Sequence, residues 1–131
     1  ARSRRQQELW SQVLPRFVLA PEEVSSQAAT DVWLEIGFGG GEHLVWQASH
    51  HPAVRVIGCE PFEDGVVKVL DAIEANDLSN IRLWTDDARP LLRALPNASL
   101  SRVFILFPDP WPKARHQKRR LVSPHTIDEL V

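Results

Sequence analysis

From residue 31 onward the chain alternates between short apolar runs and longer stretches in which apolar residues recur every three or four positions. DVWLEIG (31–37) is an apolar run ending at a glycine turn, the pattern of a buried strand. EHLVWQASHH (42–51) has helical spacing, with Leu44, Val45 and Ala48 on one side and Pro52 closing it. VRVIGCE (54–60) predicts a second strand. DGVVKVLDAIEAND (64–77) predicts an amphipathic helix with Val66, Val67, Val69, Leu70 and Ile73 on one face. IRLWTDD (81–87) reads as a third strand and ARPLLRAL (88–95) as a short helix with Pro90 in its first turn, where proline is tolerated. SRVFILF (101–107) is the fourth strand. This rhythm predicts an α/β fold, a Rossmann-like open parallel sheet with helices on both faces. Residues 1–30 read differently, as a polar lead in which Pro15 and Pro21 break any long helix. The expected division is therefore a lead segment over 1–30 and one domain over 31–131.

Open parallel sheets bind ligands beyond the C-terminal ends of their strands. The four predicted ends carry GFGGGE, CEPF, DDA and FPDPWPK, and so bring carboxylates at Glu35, Glu60, Asp87 and Asp109 toward one edge. The glycine turn selects among ligands. A dinucleotide fingerprint starting at Gly37 needs glycine at position 42, but Glu42 stands there and would repel a pyrophosphate, which disfavours an NAD-linked oxidoreductase. The spacing of a P-loop is absent as well. What remains is E-x-G-x-G-x-G, formed by Glu35, Gly37, Gly39 and Gly41, with Gly40 in the same turn. It suits a nucleoside that carries positive charge and no phosphate, and S-adenosylmethionine is such a ligand. Glu60 is then placed for ribose hydroxyls and Asp87 for the adenine amino group. Phe62 either covers the adenine face or packs into the core.

Composition narrows the class. At 131 residues, 44% hydrophobic and 24% charged, the chain is one folded domain's worth of material. No apolar run approaches the ~20 residues that cross a bilayer, and no apolar stretch follows the basic N-terminus as in a secretory signal. Cys59, the single cysteine, excludes an internal disulfide or a cysteine-based zinc site. The expected location is the cytoplasm, and the expected Cys59 is buried and inert. No metal is expected: His43, His50 and His51 lack metal partners and read as surface or cap groups. Trp33, Trp46 and Trp84 read as core.

Charge is placed unevenly around a net of −2. Residues 6–112 form an acidic body, whereas Lys113, Arg115, Lys118, Arg119 and Arg120 crowd into eight positions and Arg2, Arg4 and Arg5 open the chain. Two basic segments on an acidic body point to local contact with a polyanion, although the N-terminal arginines fit a solvated face equally well.

The stretches LEIGFGGGEHL (34–44), VIGCEPFEDGV (56–66), NIRLWTDDA (80–88) and VFILFPDPWPKARHQKRRLV (103–122) together resemble the bacterial tRNA (guanine-N7)-methyltransferases. These are class I S-adenosylmethionine-dependent enzymes. The resemblance covers about two-thirds of the chain, and FPDPWPK followed by H-x-K-R-R is its most specific part. It implies methyl transfer to N7 of a guanine in tRNA, with the variable loop as the expected place. It further implies that Glu35, Glu60, Asp87 and Asp109 contact the methyl donor, that Asp109 is catalytic, that Lys113 touches the substrate and that residues 115–120 interact with RNA.

The chemistry of these residues is compatible with that assignment. Guanine N7 is already a neutral nucleophile, so positioning and electrostatics carry catalysis and no base is required. Pro108, Pro110 and Pro112 stiffen the backbone around Asp109 and Trp111. Asp109 fits three roles: holding the methionine ammonium, accepting from the guanine N1–H and amino group, or steadying charge on the methylated ring. Trp111 either stacks on a base or anchors its loop. Lys113, Arg115, His116, Lys118, Arg119 and Arg120 supply phosphate contacts, which position RNA without choosing a base.

Only about four strands of the resembling fold are represented, so the chain is expected to be incomplete at its C-terminus. The rival reading is a catalytically inactive RNA- or cofactor-binding module. Monomer and homodimer both remain open.

Overall fold

The computed structural model describes residues 2–24 and 30–106. Four parallel strands, β1 (Val32–Ile36), β2 (Arg55–Cys59), β3 (Ile81–Trp84) and β4 (Arg102–Ile105), lie in the order β3-β2-β1-β4. Helices α3 (Glu42–His50), α4 (Glu63–Asn76) and α5 (Ala88–Ala94) connect them, as the alternating pattern predicts.

Side-chain alternation along each strand splits the core into two layers. Trp33, Val56, Ile81 and Leu83 face one layer with Leu44 and Ala48 of α3 and Val66, Val69, Leu70 and Ile73 of α4. Val32, Leu34, Ile57, Cys59, Val103 and Ile105 face the other, which Leu91 and Leu92 of α5 cover. Helices therefore cover both sheet faces. The order reverses direction at β1: β2 and β3 are laid down on one side of it and β4 on the other. The gap between the C-terminal ends of β1 and β4 is thus the topological switch point, where such sheets bind ligands.

The lead segment differs from the expectation of a polar stretch broken by prolines. A helical path runs through α1 (Arg4–Glu8), a π-helical turn (Leu9–Val13) and α2 (Leu14–Phe17). Leu9, Val13, Leu14 and Phe17 share one face at helical spacing and enter the first core layer. Pro15 has no N–H for a regular helical bond, and the turn ahead of it is π-type, with the Leu14 N–H reaching back to the Leu9 carbonyl. Pro15 then sits in the first turn of α2, so proline segments the helix without ending it. Beyond α2, the Leu19 N–H donates to the Leu83 carbonyl at 2.8 Å and covers the edge of β3.

Two N-terminal arginines are likewise committed. Arg2 meets Glu63, and Arg5 reaches Asp71 at 3.1 Å and Glu74 at 2.7 Å, all on α4. They fasten the lead onto that helix. Each such pair is exposed, so solvent and salt screen it.

A polar clamp holds the other end of α3. The Asn80 side-chain amide donates to the carbonyls of Ala48, His51 and Val54 at 3.1, 3.1 and 2.8 Å, satisfying groups that a helix end leaves without partners. Asn80→Ala is expected to lower unfolding free energy by about 1–2 kcal/mol, read as an earlier urea midpoint; an unchanged midpoint would remove the clamp from the account.

Candidate active site

The turn after β1 is shaped by close backbone approaches. Gly37 has φ +74°, and a Cβ there would stand 2.2 Å from the Leu106 carbonyl oxygen. The Leu106 N–H in turn donates to the Ile36 carbonyl at 2.9 Å. The chain therefore leaves β4 directly beside the glycine turn. On its far side the turn touches the first turn of α4, where a Cβ on Gly65 would lie 1.9 Å from the Gly39 carbonyl oxygen. Sequence reading did not single out Gly65; an isolated glycine in a helical pattern is the available signal for such an approach. Gly41, at φ +84°, caps the start of α3.

Glu60 grips this turn from the end of β2. It is 3% exposed, and its Oε1 accepts from the Gly39 N–H at 2.8 Å while Oε2 accepts from the Phe62 N–H at 3.2 Å. Each carboxylate oxygen has a second lone pair, so Glu60 can shape the turn and still accept from a ligand hydroxyl.

Glu35 stands on β1 opposite Gly58 of β2 and Phe104 of β4, and is 0% exposed. Its Oε1 meets His43 Nδ1, on the first turn of α3. Its Oε2 is buried and has no hydrogen-bond partner among the described residues. Burial pushes the Glu35 carboxyl above its ordinary value and the His43 contact opposes the rise. A buried carboxylate oxygen without a partner is costly, and a cationic ligand is the group that would satisfy it. His43 is therefore part-exposed and, beyond the surface role expected of it, partners Glu35. The sequence did hold a signal: a glutamate inside a buried apolar strand needs a partner, and the next helix starts over that strand's end.

Asp87 is exposed and differently engaged. It caps α5 by accepting from the Arg89 N–H at 2.8 Å, and its Oδ2 pairs with Arg89 Nη2 at 2.6 Å. The Arg89 side chain holds the carboxyl down at about 2.

Two of the four predicted carboxylates, Glu35 and Glu60, thus converge on one turn and the helix that follows it. Asp87 stands at the next strand end. Asp109, Trp111, Lys113, Arg115, His116, Lys118, Arg119 and Arg120 lie outside the described residues.

The remaining aromatics sort unevenly. Trp33 is core, as expected. Trp46, also expected in the core, is 52% exposed and stacks on His50, because it sits across α3 from buried Leu44 and Ala48. Phe62 is 74% exposed beside Glu60, so the core-packing alternative for it fails. Cys59 is buried, with its thiol pushed up to about 12 mainly by desolvation, and is inert as expected. Among the described residues no helix is long and apolar enough to cross a membrane.

Known proteins give this geometry a context. A family model described as "Putative methyltransferase" matches residues 29–131. The chain is 60% identical over 91 residues to a tRNA (guanine-N(7)-)-methyltransferase of Hyphomonas neptunium, covering 70% of this chain and 42% of that protein. It is 51% identical over 135 residues to the enzyme of the same name from Granulibacter bethesdensis, covering 97% of this chain and 59% of the relative. With the namesake from Rhodospirillum rubrum it shares 51% identity over 113 residues, 86% of this chain and 44% of that one. The chain spans about half the length of the curated relatives it matches. On the matched residues and this level of identity, the chain belongs to the methyltransferase family that includes the bacterial tRNA (guanine-N(7)-)-methyltransferases.

Proposed function

We propose that the full-length protein transfers a methyl group from S-adenosylmethionine to N7 of a guanine in tRNA. The observation that carries this reading is the buried Glu35 carboxylate, whose Oε2 lacks a partner among the described residues beside a glycine turn at the switch point of the sheet. A ligand with an ammonium group fits that oxygen, and the relatives' names supply the reaction. When bound, S-adenosylmethionine supplies an electrophilic methyl group on a sulfonium centre.

The chain's own residues then hold and orient. In this reading Glu35 accepts from the ammonium group. Glu60 accepts from the ribose hydroxyls while keeping Gly39 in place, with Gly37, Gly39 and Gly41 giving the backbone room. Exposed Phe62 covers one adenine face. Asp87 accepts from the adenine amino group through oxygen lone pairs that the Arg89 contacts leave open. Asp109 follows Leu106 by three residues in the sequence. It is assigned the catalytic position, and Lys113, Arg115, His116, Lys118, Arg119 and Arg120 take tRNA phosphates and substrate. No residue is assigned as a base, because N7 carries no proton to remove. Residues 31–131 form the methyl-transfer unit, which residues 1–30 brace, and the cytoplasm is its place of work.

A dinucleotide ligand is disfavoured by charge. A Cβ on Gly40 would lie 2.8 Å from Glu42 Oε1, so this carboxylate folds back over the start of α3, where a pyrophosphate would bind.

The test is nucleoside analysis of unmodified tRNA treated with the full-length protein and labelled S-adenosylmethionine. The expected product is 7-methylguanosine. A different methylated nucleoside or labelled protein would refute the assignment, and tRNA binding without methylation would favour the inactive module.

A further inference from the structure

We propose that His43 and Gln47 are positioning residues that hold the Glu35–His43 pair net negative, so that this pair presents one full negative charge to the ammonium end of the methyl donor. This rests on the function proposed above and adds to it how the acceptor is held.

His43 Nδ1 contacts Glu35 Oε1, and Gln47 Nε2 lies 3.0 Å from His43 Nε2. With the Gln47 amide nitrogen turned toward the ring, as placed here, His43 Nε2 accepts and its proton resides on Nδ1, facing Glu35. A doubly protonated ring would set two donors against each other at Nε2. The pair is therefore neutral imidazole with carboxylate, not a self-cancelling imidazolium–carboxylate pair. Only the former leaves net charge for a cationic ligand. Gln47 lies one turn after His43 on α3, and the Phe104 ring packs edge-on against the imidazole at 5.1 Å, which fixes its plane. The groups facing Glu35 from the other strands, Gly58 on β2 and Phe104 on β4, are uncharged. His43 is the one titratable group acting on Glu35 among the described residues. Without its hydrogen bond, burial acts unopposed and the carboxyl takes up a proton at higher pH.

The test is calorimetric titration of the full-length protein with S-adenosylmethionine from pH 5 to 8, with 15N NMR of the histidine rings. The wild type should show the neutral tautomer protonated on Nδ1. His43→Ala should weaken binding about tenfold at pH 7 and move the acid limb of the profile upward, because a charge-assisted bond is lost. The KM for the methyl donor should rise with kcat at saturation less affected. His43→Asn, whose amide places a donor near the Nδ1 position, should restore affinity to within about threefold of wild type. Gln47→Glu, which accepts at Nε2 and favours imidazolium, should weaken binding without touching Glu35. Wild-type affinity and an unchanged pH profile in His43→Ala, or no rescue by His43→Asn, would overturn the inference while leaving the proposed function standing. A wild type that binds no methyl donor would overturn both.

Discussion

Glu35→Gln is expected to lower affinity for S-adenosylmethionine about a hundredfold, since it removes one charge from a buried pair, and at the same time to stabilise the empty fold. The two effects have one cause. Burial raises the Glu35 carboxyl above its ordinary 4.5, so the folded protein holds that proton more tightly than the unfolded chain. The sign follows: the Glu35 contribution to wild-type stability is fullest below about pH 4.5 and is lost as pH rises through the folded-state value. Glutamine keeps the acceptor for His43 Nδ1 and removes the charge. Its extra amide group lacks a partner, but an unpaired amide costs less than an unpaired buried charge. Above the folded-state value the variant should therefore be more stable, by about 1 kcal/mol at pH 8, with the difference closing toward pH 4. Urea unfolding across that range reads the stability and calorimetry the affinity. A variant that binds the methyl donor like wild type would take Glu35 out of the site.

Gly65→Ala should destabilise the fold by about 2 kcal/mol and weaken methyl-donor binding about tenfold or more, because an overpacked contact cannot relax here. The added Cβ would stand 1.9 Å from the Gly39 carbonyl oxygen, while Glu60 Oε1 holds the Gly39 N–H from the other side at 2.8 Å. The peptide is pinned on both sides, so the turn must move and lose its bond to Glu60. Helix propensity alone predicts the opposite sign, since alanine is better than glycine in a helix by roughly 0.5–1 kcal/mol. Gly39→Ala is the matched control. Nothing lies within 4 Å of a Cβ there, but φ is +58°, so the cost is backbone strain of about 1–2 kcal/mol without a clash. If Gly65→Ala proves more stable than wild type by urea unfolding, the packing of this turn against α4 is wrong.

The alternating pattern was legible because parallel strands covered on both faces read as apolar runs, and α4 carries a clean stripe. Glu35, Glu60 and the glycine turn were legible for the same reason: strand ends in such a sheet share one edge. Three features were hidden. Pro15 argues locally against a helix, and only tertiary burial of Leu9, Val13, Leu14 and Phe17 outweighs it. Arg2 and Arg5 carry no local sign of pairing because their partners Glu63, Asp71 and Glu74 are more than 60 residues away in sequence. His43 looked bland because a lone histidine in a helix carries no pattern of its own. Its meaning comes from the strand beneath it. Trp46 was within reach: two positions from Leu44 on a helix, it had to face away from the core.

In the proposed function, carboxylates on neighbouring strand ends, beside a glycine turn and His43, seat a cationic nucleoside. The most direct measurement is calorimetric titration of full-length wild type and Glu35→Gln with S-adenosylmethionine at pH 8. Saturable wild-type binding at one site, weakened about a hundredfold in the variant, is the predicted result. No wild-type binding, or equal affinity in the two proteins, would contradict it.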